Sequence, residues 1–154
     1  LIATLFPYTT LFRSKLSLTI EHIVPFHDLD PMGVVWHGNY VAIMEEVREA
    51  FLEKYELGYL KMLDEGYVEP VTNININYKN SFVYGDTMLL EITYKPTKTA
   101  RLEFEYKFFR KSDGMLMTEA SSTQHFVRRA NNELEYSRPD FYTNWQKKWD
   151  VFNL

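Results

Sequence analysis

Hydrophobic and polar positions change period twice along this chain, and each change marks an element. From Lys15, Leu16, Leu18 and Ile20 share one face of a loosely alternating run, followed by Ile23 and Val24. The pattern predicts a strand that ends at Pro25. In "NYVAIMEEVREAFLEKYELG", Tyr40, Met44, Val47, Phe51 and Tyr55 recur at spacings of four, three, four and four. That is the stripe of an amphipathic helix, widened by Ile43 and Ala50, with Glu45, Glu46, Arg48, Glu49, Glu53 and Lys54 as its polar surface and Gly58 as its stop. At ~1.5 Å per residue the helix would run roughly 27 Å, long enough to cross a sheet.

From Tyr67 to Arg128 the period falls to two. Val71, Asn73, Asn75 and Asn77 lie on one face of "VTNININYKN", and Ile74, Ile76 and Tyr78 on the other. "TMLLEITYKP", "RLEFEYKFFR" and "LMTEASSTQHFVR" follow, divided by the turn signals "YGD", "TKT" and "SDG". We expect antiparallel hairpins. One strand, a long helix and four meandering strands make an α+β layout, with the sheet wrapped around one central helix. The C-terminal segment 131–154 is aromatic and weakly helical, and reads as a capping tail after a domain spanning 15–130.

The opening residues stand apart. Thr4 to Ser14, "TLFPYTTLFRS", resembles a translated sequencing-adapter oligonucleotide, so residues 1–14 are set aside as a non-native leader. The chain has 154 residues, one domain's worth. Its net charge of −4 argues against a nucleic-acid partner, which needs clustered Lys and Arg. There is no cysteine, which excludes disulfides, thiolate metal sites and cysteine nucleophiles. No run approaches the ~20 apolar residues of a membrane span, so a soluble, cytoplasmic protein is expected.

"HDLDPMGVVWHGNYV" is where chemistry concentrates. Asp28 and Asp30 precede a Pro, a Gly and the start of the long helix. An aspartate here is ordinarily an Asx-turn organiser or a helix cap. A second reading is catalytic, because strand, turn and helix start bring a carboxylate near free backbone N–H groups that can polarise a carbonyl oxygen.

These residues also resemble the signature of the hotdog-fold acyl-CoA thioesterases of the 4-hydroxybenzoyl-CoA thioesterase type. There an Asp-x-Asp-x-x-Gly-x-Val turn leads to Asn-Tyr and the central helix. The likeness runs on, more weakly, through "EPVTNININYKNSFVYGDTMLLEITY" and the last two hairpins, roughly Leu16 to Arg128. It implies that Asp30 is the catalytic carboxylate, acting as general base or as nucleophile. Gly33 permits the turn, Asn39 braces it, and the backbone N–H groups of His37 and Gly38 polarise the thioester carbonyl. Met32 stands where the family often has a smaller residue.

Other candidates are weaker. The His37 ring is more often structural at a helix start. His22, His27 and His125 are scattered and no H-x-x-H spacing exists, so no metal is expected. There is no G-x-S-x-G elbow. Glu45 is either a secondary acid or the partner of Arg48, three positions on. Lys98 and Arg101, in and beside the "KPTKTAR" hairpin with Lys95, are candidates for the phosphates of CoA, or else a solvated hairpin tip.

The resemblance implies hydrolysis of an acyl-CoA or acyl-carrier-protein (acyl-ACP) thioester, in a homodimer or homotetramer. No cofactor is called for beyond CoA itself, carried in by the substrate. The rivals are a hotdog dehydratase, which would need a His partner, and a non-catalytic acyl-thioester binding module.

Overall fold

The computed structural model describes residues 15–153; the leader lies outside the described residues. In chain order the elements are β1 (Ser17–Ile23), a single 3-10 turn (Phe26–Asp28), α1 (Asn39–Lys54), α2 (Tyr59–Asp64), β2 (Tyr67–Val68), β3 (Val71–Tyr78), β4 (Thr87–Lys95), β5 (Arg101–Arg110), β6 (Leu116–His125), β7 (Val127–Arg128), β8 (Glu133–Leu134) and α3 (Asp140–Lys148). Five strands form an antiparallel sheet in the order β1-β4-β5-β6-β3. β2, β7 and β8 form a small second sheet absent from the sequence reading.

The sheet is built on strict alternation. Met88, Leu90, Ile92 and Tyr94 of β4 and Leu102, Phe104, Tyr106 and Phe108 of β5 are all buried. They share the core with Tyr40, Ile43, Met44, Val47, Phe51 and Leu52 of α1. The long helix lies on a curved antiparallel sheet, the hotdog arrangement expected.

Three details differ from the sequence reading. First, β3 and β4 do not form a hairpin: β3 pairs with β6 at the sheet edge, while β4 pairs with β1 and β5. Residues 79–86 cross the three intervening strand spacings, about 14 Å, well within reach of eight residues. Phe82, fully buried, anchors that crossing. The exposed Asn73, Asn75 and Asn77 give β3 the polar character of an edge.

Second, α1 ends before Gly58. Glu56 takes the left-handed conformation (φ 60°), the Leu57 N–H donates to the Leu52 carbonyl at 2.8 Å and the Glu56 N–H to the Glu53 carbonyl at 3.2 Å. This is a Schellman cap, sealed by burial of Leu57 against the core. Gly58 instead opens α2, where a Cβ would fall 2.1 Å from the Glu53 carboxylate.

Third, the tail is part of the core. The Trp145 indole donates to the Tyr55 carbonyl at 2.6 Å, closing the end of α1. The Tyr142 hydroxyl lies 2.6 Å from that of Tyr94, and Gln146 Nε2 donates to the Tyr94 hydroxyl at 2.9 Å. Tyr142→Phe removes a buried hydroxyl whose loss leaves Tyr94 still bonded by Gln146. It should cost about 1 kcal/mol, read as a fall of about 3 °C in Tm by calorimetry.

Candidate active site

The Asp-rich turn is a short β-hairpin set between β1 and α1. The Asp30 N–H donates to the Val34 carbonyl at 2.8 Å, and the Trp36 N–H to the Asp28 carbonyl at 2.9 Å. At the tip the Gly33 N–H donates to the Asp30 carbonyl at 2.9 Å, with Gly33 at φ 77°, a conformation that favours a residue without Cβ. The rising arm is pinned to the crossing segment, where the Val35 N–H donates to the Phe82 carbonyl at 3.0 Å.

Asp30 plays the turn role and keeps capacity in hand. Its Oδ1 accepts the Met32 N–H at 2.8 Å, an Asx turn. Among the described residues no group bonds Oδ2, and the side chain is partly open to solvent. One oxygen orients the carboxylate while the other is available for a proton or a carbon.

The helix start is held against this hairpin. Asn39 Nδ2 donates to the Asp28 carbonyl at 2.9 Å, and the Tyr78 hydroxyl donates to the His37 carbonyl at 2.9 Å. Asp28 and Trp36 therefore sit side by side, with Asp30 two residues towards the tip and His37 one residue towards the helix. Among the described residues, neither the His37 nor the Gly38 amide donates a hydrogen bond. Gly38 passes so close to Trp36 that a Cβ would fall 2.3 Å from the indole. The His37 ring is exposed and leans on Trp36, 5.2 Å between centroids.

Glu45 pairs with Arg48. The sequence reading placed Arg48 on the polar face of α1, but it is 2% exposed. Its guanidinium donates to the Tyr59 hydroxyl at 3.0 Å and the Tyr106 hydroxyl at 3.1 Å, and Tyr106 bonds Ser122 at 2.8 Å. The signal was available: Arg48 lies four positions from both Met44 and Leu52, on the core stripe.

Lys98 and Arg101 are not brought to Asp30 within one protomer. The Asp30 hairpin contacts the chain just before β4, whereas these two residues follow its far end, nine residues or about 26 Å away. Lys98 lies over the Phe152 ring at 5.6 Å and Arg101 beside Glu103 at 2.7 Å.

A cavity of about 570 Å³ opens beside the middle of α1. Tyr59, Leu60 and Leu63 of the α2 region, Val68 and Val71 supply apolar wall, and Glu45, Arg48, Glu69 and Gln124 supply polar lining. Burial raises the Glu69 carboxyl to about 7. Of these residues only Glu45 is a candidate from sequence; the others come from separate segments that only the fold gathers. Among the described residues, no cluster of three His, Asp or Glu is placed to hold a metal ion, and no helix is long and apolar enough to cross a membrane.

Comparison with known proteins gives this geometry a family. The chain is 28% identical over 127 residues to the Bacillus subtilis strain 168 protein named "Putative acyl-CoA thioesterase YneP", covering 80% of this chain and 91% of that one. It is 25% identical over 139 residues to the 1,4-dihydroxy-2-naphthoyl-CoA hydrolase of Trichodesmium erythraeum, covering 89% and 100%. Among solved structures it superposes on a DHNA-CoA thioesterase from Staphylococcus aureus with a TM-score of 0.77 and 25% identity, covering 89% and 93%. The family model of the thioesterase-like superfamily matches residues 24–146, which takes in the Asp30 hairpin, α1 and the whole of the five-stranded sheet after β1. The chain belongs to the thioesterase-like superfamily.

Proposed function

We propose that this thioester hydrolase cleaves acyl-CoA to a free carboxylic acid and CoA, in the manner of the 4-hydroxybenzoyl-CoA thioesterase type, with Asp30 as the reacting carboxylate. The observation that carries the reading is the Asp30 side chain, with one oxygen fixed by the Met32 N–H and the other unpartnered among the described residues, on a hairpin that leads into two amides, those of His37 and Gly38, that likewise have no acceptor among the described residues. A thioester carbonyl oxygen bound at the His37 and Gly38 amides would gain two donors aimed where negative charge develops. Asp30 then either takes a proton from the attacking water or attacks the carbonyl carbon itself, giving an anhydride that water opens. In both routes the C–S bond breaks, CoA leaves as thiolate, and the water proton returns to it.

The acyl group has a place to go. From Gly38 to Glu45 the helix rises about 10 Å, so an acyl chain running along α1 from the amides reaches the mouth of the cavity. Its volume of about 570 Å³ falls in the range of small-molecule sites. The edge of β3 away from β6 pairs with no strand among the described residues, and a second copy pairing there would continue the sheet, so we propose a homodimer or a dimer of dimers. Acyl-ACP presents the same pantetheine thioester and is a second carrier to assay.

The test is a panel of acyl-CoAs from acetyl upward, with thiol release as readout. Leu63→Trp should lower kcat/KM for the longest accepted acyl group about tenfold or more, leaving acetyl-CoA within about twofold. A uniform loss across chain lengths would remove the cavity from the acyl path.

A further inference from the structure

Asp28, the first acid of the Asp-x-Asp pair, has no part in the chemistry proposed above, yet its side chain is mostly buried. It faces His22, near the end of β1. His22 Nδ1 lies 2.8 Å from Glu46 Oε2 on α1, and His22 Nε2 lies 3.7 Å from Asp28 Oδ2. That Nε2 is buried and has no hydrogen-bond partner among the described residues. An imidazole thus stands between two carboxylates, one on the helix that supplies the amides and one on the hairpin that carries Asp30. The Asp28 backbone carbonyl meanwhile accepts from both the Trp36 N–H and Asn39 Nδ2. Movement of Asp28 would therefore shift the hairpin and the helix start together.

We propose that His22 is a positioning residue whose protonated ring clamps Asp28 of the hairpin to Glu46 of α1, holding Asp30 in register with the amides of His37 and Gly38. The proposal rests on the thioesterase reading for its catalytic consequence, but not for the clamp itself.

Chemistry decides which protonation state does the work. With one ring proton, placed on Nδ1 to donate to Glu46, the Nε2 lone pair faces the Asp28 carboxylate and repels it. With two ring protons, both nitrogens face acceptors. The other titratable side chain at the cluster is His27, whose Nε2 lies 3.5 Å from Asp28 Oδ1 but which is largely exposed. The neighbouring Glu21 is engaged with Lys111 at 2.5 Å, and β4 opposes His22 with uncharged Met88.

Three variants, His22→Gln, Asp28→Asn and the double change, test this. Each single change should lower kcat about tenfold while KM for acyl-CoA stays within about twofold, since the substrate contacts remain and only the register of the reacting groups is lost. The double variant should be no slower than the slower single one, because the two residues act through one contact. Independently of activity, amide hydrogen exchange at Asp30 and Trp36 should quicken about tenfold in either single variant, with Ile92 and Tyr106 unchanged. Unchanged exchange at Asp30 and Trp36, or additive losses, would each overturn the clamp. Absence of acyl-CoA turnover in the wild-type protein would sink the thioesterase reading instead, and the exchange measurement would still decide the clamp.

Discussion

Asp30→Asn should lower kcat for acyl-CoA hydrolysis by about 10²–10⁴-fold, the usual worth of a positioned acid or base, while the substrate still binds. Asparagine keeps the size of the side chain and an oxygen able to accept the Met32 N–H, so the Asx turn survives. What it loses is charge on the oxygen left free. The change therefore separates the two roles that this residue type can play before a Pro-x-Gly turn. If turnover by the purified, folded variant stayed within about threefold of wild type, Asp30 would be a turn former only. A large fall in thermal stability alongside lost activity would place the defect in the hairpin, so Tm is measured on the same sample.

The hairpin shows why both readings could be entertained from sequence. The spacing of Asp30, Pro31 and Gly33 encodes a tight turn by local chemistry, and the structure builds one. The same was true of α1, whose stripe of Tyr40, Met44, Val47, Phe51 and Tyr55 is buried along its length. The alternating burial of β4 and β5 fits the strands expected from "TMLLEITYKP" and "RLEFEYKFFR". These are effects within one element, where a period of 3.6 or 2 reports directly which side meets the core.

Effects between elements left weaker traces. Nothing local tells β3 to pair with β6 rather than β4, because the crossing at residues 79–86 has the composition of an ordinary turn. The stop of α1 is set by burial of Leu57, which forces a left-handed Glu56, and a nearby Gly58 offered a more conventional but incorrect end. Arg48 reads as surface by its charge, yet three hydroxyl and carboxylate partners from separate segments allow its burial. Lys98 and Arg101 share a hairpin with good phosphate chemistry, but the length of β4 separates them from Asp30. The residues lining the cavity beside α1 come from α1, α2, β2, β3, β6 and β7, too dispersed to form a motif.

Phe51→Ala should give the largest loss of stability among the changes considered. The ring is fully buried in the C-terminal half of the helix stripe, 4.6 Å from the Tyr55 ring and 5.3 Å from that of Phe104. Removing it costs the transfer energy of the ring plus the cavity left behind, about 3–5 kcal/mol. For a chain of this size that corresponds to a fall in Tm of about 10 °C or more, checked by calorimetry. Phe51 lies three helical turns beyond the Asp30 hairpin, so kcat well below the new Tm should remain within about threefold of wild type. A shift of only a degree or two would mean that α1 is not packed on the sheet as described.

The central claim is that the Asp30 hairpin and the start of α1 hydrolyse an acyl-CoA thioester. Its most direct test is steady-state release of free CoA thiol by the purified wild-type protein, across acyl-CoAs graded from acetyl to long-chain and aryl, with Asp30→Asn run beside it. Saturable turnover is expected on at least one of these substrates, at a kcat of about 1–10³ s⁻¹, with its near loss in the variant. Tight binding of the same acyl-CoAs with no thiol released by the wild-type protein would contradict it, and would make the chain a binder of acyl thioesters instead.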